Sequence, residues 1–219
     1  MDALQGAIDV DTNIFFSINR MHNMYFDYFM SAYSGKWVWI PMYAAIWYVM
    51  LRNFHWKVTL FCMIGLALTI TFADQACATW IRPYVERMRP SNLNNPISEM
   101  VHIVNNHRGG RYGFPSCHAA NTFGFFLFFL FRKRWLTLFI MAWALLTCYS
   151  RVYLGVHYPG DLLAGTIVGL IGAWLIYRLF VKVSGYKRVE HVTHVYAPIW
   201  VGLLTIAGML VYAGIRTLL

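Results

Sequence analysis

The sequence predicts an all-α, polytopic membrane protein with six transmembrane helices and an N-terminal amphipathic interfacial segment. Three observations predict it. The 219 residues are 59% hydrophobic and only 12% charged, about half the charge of an ordinary soluble domain. Several apolar runs reach bilayer-spanning length, which one soluble core would not require. Aromatic residues make up 18%, with nine tryptophans, and Trp and Tyr concentrate where membrane meets water. The length fits a single domain, residues 1–219.

Residues 1–35 read as the interfacial segment. The stretch "IFFSINRMHNMYFDYFMSAYS" mixes apolar positions with Asn19, Arg20, His22, Asn23 and Asp27. It is too polar to span and suits one or two helices lying in the interface. The opening "MDALQGAIDVDTN" has no basic leader, so no cleaved signal peptide is expected. Spans are expected at about 37–52, 57–81, 117–131, 135–150, 160–181 and 195–215. Their connections are tight except for 82–116, rich in Arg, Pro, Asn and Gly.

The net charge of +9 is spread over short connections. That distribution argues against nucleic acid and for membrane orientation or anion binding. Six spans put both termini on one side, together with the 82–116 loop, Arg151, His157 and Asp161. Lys and Arg number nine on each side. The other side carries Arg52, Lys57, Arg132, Lys133, Arg134, Arg178, Lys182, Lys187 and Arg188, close to span ends. If three arginines of the first side serve an anion, the balance becomes six against nine, which places the 82–116 loop outside the cytoplasm. Cys62, Cys77, Cys117 and Cys148 have no paired spacing, so neither a disulfide framework nor a zinc pattern is expected.

Three pieces converge on one membrane face. "RPYVERMRP" puts Arg82 and Arg89 seven apart at the end of the second span, which on a helix is two turns and a shared face. "PSCH", Pro115 to His118, opens the third span. "SRVYLGVHYPGD" gives Ser150, Arg151, His157 and Asp161 between the fourth and fifth. Arginines at a membrane boundary make a planar, permanently cationic donor set for phosphate oxygens. The start of a helix at Ser116, Cys117 and His118 adds free N–H groups and a positive dipole end. Two histidines provide a nucleophile and an acid, and Asp161 can orient one imidazole. Together they could hydrolyse a phosphate ester without a metal or cofactor.

Each piece taken singly has a plainer reading. Arg82 and Arg89 could be interfacial anchors, Asp161 a first-turn cap, and His118 a structural hydrogen-bonder. Their matching chemistry on one face outweighs these readings. His102 and His107 are given no role. Only Asp74 lies deep in a span, where a transporter or a phospholipid-binding protein would place more ionisable groups.

The combined pattern resembles that of the type 2 phosphatidic acid phosphatase family, K-x6-R-P, P-S-G-H and S-R-x5-H-x3-D. Here it stands as Arg82-x6-Arg89-Pro90, Pro115-Ser116-Cys117-His118 and Ser150-Arg151-x5-His157-x3-Asp161. The six-span layout and the N-terminal stretch also look like the membrane-bound bacterial branch. The resemblance implies that His157 attacks phosphorus and that Asp161 orients it. His118 would protonate the leaving group and then activate water. Arg82, Arg89, Ser116, Cys117 and Arg151 would bind phosphate. It implies a bacterial inner-membrane enzyme with an extracytoplasmic site and a lipid phosphate substrate. Candidates are undecaprenyl diphosphate, lipid A phosphates, phosphatidylglycerophosphate and phosphatidic acid. Two residues depart from the pattern: Arg82 replaces Lys, and Cys117 replaces Gly. A cysteine nucleophile would call for a C-x5-R loop, but position 123 is Phe.

Overall fold

A computed structural model describes residues 3–125, 133–184 and 192–219. Its regular elements are helices: α1 (Ala3–Asn19), α2 (Met24–Tyr33), α3 (Ile40–Asn53), α4 (Trp56–Asp74), α5 (Arg82–Val85), α6 (Cys117–Phe123), α7 (Arg134–Tyr153), α8 (Pro159–Ser184) and α9 (Ala197–Leu218). Local chemistry fixes several starts. Asn23 caps α2 by accepting from the Phe26 N–H at 2.9 Å. Prolines occupy the first turns of α3 and α9, where no N–H is needed.

Among the described residues, four helical segments are long and apolar enough to cross a membrane: Trp56–Val85, α7, α8 and α9. The first is α4 running into α5 through the π-helical turn Gln75–Ile81. α3 begins after a short 3-10 turn at Trp37–Trp39 and is shorter, at 14 residues. The second half of the span expected at 117–131, with Arg132, Lys187 and Arg188, lies outside the described residues. Within the expected interfacial segment there are two helices, and α1 begins as early as Ala3, ahead of the polar and apolar stretch that starts at Ile14.

α6 packs on α8, α4 on both, and α9 on α2 and α3. Glycines set the α6–α8 spacing. A Cβ on Gly165 would stand 2.3 Å from the Ser116 carbonyl oxygen, and one on Gly169 2.2 Å from that of Ala120. Bare backbone on α8 therefore lets the start of α6 lie directly on it. A second core, built on Phe29, Tyr33, Trp39, Met42, Ile46 and Trp143, joins α2 and α3 to α7. Within it Trp39 donates to the Tyr33 carbonyl and Tyr33 to the Trp143 carbonyl, so both polar handles are satisfied. The end of α5, the starts of α6 and α8 and the end of α7 meet at one end of the bundle.

Candidate active site

The 82–116 loop is ordered by backbone pairing. Glu86 takes a left-handed conformation and ends α5. The chain then runs antiparallel to residues 111–113: Arg89 N–H donates to Arg111 O at 3.1 Å and Gly113 N–H to Arg87 O at 2.9 Å. Arg82 and Arg89 therefore do not share a helix face, contrary to the expectation from their spacing. Arg82 opens α5, and Arg89 reaches the same place from the 87–89 segment that follows that helix.

His157 follows the turn after α7, where Gly155 has a φ of +74°, a left-handed angle that glycine adopts without strain. The His157 ring is 1% exposed and Asp161, one turn into α8, is 0% exposed. His157 Nδ1 lies 3.3 Å from Asp161 Oδ2, and Arg89 Nη1 lies 2.7 Å from Nε2. A guanidinium can only donate. Nε2 must then accept, and the ring proton belongs on Nδ1, facing the carboxylate. The tautomer therefore leaves the Nε2 lone pair for chemistry. Burial holds the imidazole well below its usual range, and Arg89, Arg151 and Arg82 depress it further.

Three guanidiniums flank this ring. Arg82 donates to Pro115 O at 2.9 Å and to Cys117 Sγ at 3.2 Å. Arg89 also donates to Val156 O at 2.9 Å. Arg151, buried near the end of α7, donates to Ser34 Oγ. Among the described residues, the Nε atom of all three is buried without an acceptor. Burial and the neighbouring Arg82 lower Arg89 to about 10, so it keeps its charge at neutral pH.

Ser116 caps α6, and its backbone N–H donates to Asp161 O at 2.9 Å. The start of α6 is thus tied to the residue that holds His157. Cys117 is half-buried against Cys77 and Ala120. His118 is exposed, with Arg151, His157, Arg89 and His107 as its neighbours. All eight residues expected from sequence are thus drawn to one end of the bundle.

Sequence reasoning missed three others. Arg87 pairs with Asp161 Oδ1 at 3.2 Å and Asp11 Oδ2 at 2.7 Å, and it lies 4.0 Å over the Tyr158 ring. It compensates a carboxylate that burial would otherwise penalise. Asp11 also accepts from the Gly160 N–H at 2.8 Å. A Cβ on Gly113 would meet Asp161 Oδ2 at 2.7 Å. The signal for Gly113 was its place two residues before the "PSCH" motif; nothing local marked Asp11. His102 has a structural role: it pairs with Asp27 at 2.9 Å and stacks on His22.

A family profile, the PAP2 superfamily, matches residues 60–184, the stretch that carries both histidines, Asp161 and the three arginines. The chain belongs to the PAP2 superfamily. This PAP2 protein is 50% identical to a lipid A 4'-phosphatase of Bacteroides thetaiotaomicron over 95% of its own length and 97% of the relative's. It is 31% identical to one from Porphyromonas gingivalis, over 93% and 89%. Its fold is shared with a transmembrane PAP2-type phosphatidylglycerolphosphate phosphatase from Bacillus subtilis, at a TM-score of 0.59 and 22% identity over 85% and 90% of the two chains. It is an integral membrane phosphatase, as its apolar helices and PAP2 relatives require.

Proposed function

We propose that this phosphatase removes a phosphate monoester from lipid A through a phosphohistidine on His157. The observation that carries the mechanism is the set of three buried guanidinium Nε donors without acceptors, among the described residues, around a histidine whose lone-pair nitrogen is Nε2. Phosphate oxygens satisfy those donors and draw Arg89 off Nε2. His157 Nε2 then forms a bond to phosphorus as the ester P–O bond breaks, and His118 gives its proton to the departing oxygen. Water next attacks phosphorus, His118 takes its proton, and the N–P bond breaks to release inorganic phosphate. Asp161 stabilises the ring while it carries charge. The substrate assignment rests on the near full-length similarity to a lipid A 4'-phosphatase.

In the same proposal the chain crosses a bacterial inner membrane six times and α1 and α2 lie in the interface. The catalytic end faces outward, where the lipid's head group reaches the arginines while its acyl chains stay in the bilayer. The test is phosphate release from lipid A in detergent with EDTA present. Arginines supply the charge neutralisation, so the rate should persist. Complete loss restored by Mg²⁺ would overturn the mechanism. His157→Ala should lower turnover by about a thousandfold or more while the protein still binds vanadate, and rapid acid-free quenching of wild type should trap phosphohistidine.

A further inference from the structure

A cavity of about 190 Å3 opens beside Arg151, and no step described above uses it. The last turn of α2 lends it Ser31 and Ser34, the 104–107 turn lends Asn105 and His107, and α7 with its following turn lends Arg151 and Leu154. Asn105 is left-handed, with a φ of 51°, and its amide donates to Ser31 Oγ at 3.5 Å. Two hydroxyls, an amide and an imidazole offer both donors and acceptors. Leu154 adds an apolar surface. That mixture suits a ring bearing several hydroxyls, and it differs from the all-donor chemistry that holds the phosphate.

The cavity also adjoins the phosphate-binding set. In-line displacement puts the departing oxygen opposite His157, and His118 must reach that oxygen to protonate it. Whatever is esterified there extends past His118. His107 neighbours His118 and also lines the cavity. Arg151 belongs both to the phosphate-binding set and to the cavity wall. We propose that this cavity is a sugar subsite, which holds the hexosamine ring whose hydroxyl carries the scissile phosphate. The proposal rests on the lipid A reading above and deepens it. Ser31, Asn105 and His107 are then specificity residues, and they separate sugar phosphates from lipid phosphates that lack a sugar.

The experiment compares kcat/KM for lipid A with that for dodecyl phosphate, in the whole protein and in Ser31→Ala/Asn105→Gly. Glycine keeps the left-handed backbone at 105. The lipid A to dodecyl phosphate ratio should fall about tenfold, the scale of lost hydrogen bonds to neutral partners. A merely structural role lowers both rates together, and an unchanged ratio overturns the proposal. A second measurement needs no variant. Glucosamine 4-phosphate should inhibit wild type at least about tenfold more tightly than inorganic phosphate, and equal inhibition overturns the proposal. The two readings fail differently. Lipid A turnover with an unchanged ratio removes the subsite alone. Dodecyl phosphate turnover with inert lipid A and no sugar-phosphate preference removes the substrate assignment as well.

Discussion

His157 is buried among cations, and its pH behaviour follows from that. Its folded-state pKa lies well below the ordinary value near 6.5. An unfolded chain takes up a proton at this residue as pH falls through 6.5, and the folded free enzyme does not. The residue's contribution to stability is therefore complete above pH 6.5 and is lost as acidity increases toward the folded value. For activity the sign is opposite: the proposed nucleophile stays neutral and competent. The kcat/KM profile, which reports free-enzyme groups, should show no acid limb centred near 6.5, and such a limb assigned to His157 would contradict the burial argument. Cys117 gives a second prediction. Its thiol accepts from Arg82, while the N–H that a phosphate would use belongs to the backbone. Cys117→Gly should keep at least about a tenth of the rate, a barrier change within roughly 1.4 kcal/mol; full inactivity of the folded variant would assign the thiol a larger part. At this scale the three-part motif named the histidines, Asp161 and three arginines that gather at one end of the bundle, but not Arg87, Asp11 or Gly113. The misplacement of Arg89 on a helix was avoidable, because Pro90 follows it and a residue before proline disfavours the α-region. The Arg87–Asp161 pair was not legible, because only tertiary folding joins residues so far apart in sequence.

The α6–α8 contact is the element that positions the site. The stretch "GTIVGLIG" puts Gly165 and Gly169 one turn apart on α8, each against a carbonyl of α6. Because the opposing atoms are backbone, even a methyl group cannot be absorbed by side-chain rotation. Gly169→Ala should cost about 1–3 kcal/mol and lower activity through displacement of Ser116 and His118. Gly208→Ala is the control: nothing lies within 4 Å of its added Cβ, so it should be neutral or slightly stabilising. Thermal unfolding in detergent checks both, and equal melting temperatures would remove the close-packing account. The long helices were legible because uninterrupted apolar runs leave a bilayer few alternatives: α7, α8 and α9 fall within a few residues of the expected spans. The order within 82–116 was not legible. It comes from a two-rung backbone pairing of 87–89 with 111–113, which has no periodic side-chain signature. The π-helical turn before Arg82 was hidden for a similar reason, since the apolar run continues through it.

Across the whole molecule, the Asp161 carboxylate is held by segments distant in the chain. α1 supplies Asp11, the loop supplies Arg87, and α8 supplies Asp161 and the Gly160 N–H. Asp11 and Arg87 touch no reacting atom, so they are positioning residues. Arg87→Gln should lower kcat by about 10- to 100-fold, the range typical of groups that orient a catalytic ligand, with little change in KM. Asp11→Asn should do so more weakly, because its backbone hydrogen bond to Gly160 can survive. An effect confined to KM would place these side chains in substrate binding instead. The same circuit has a consequence for the chain's synthesis. Asp11 leaves the ribosome 149 residues before Gly160, which at about 5–20 residues per second is roughly 7 to 30 s. Until α8 has emerged and been threaded into the bilayer, the nascent polypeptide lacks Asp161, His157 and the floor on which α6 rests. A ribosome stalled anywhere before that point leaves an inert product, so lipid dephosphorylation begins only with chains whose insertion has nearly run its course.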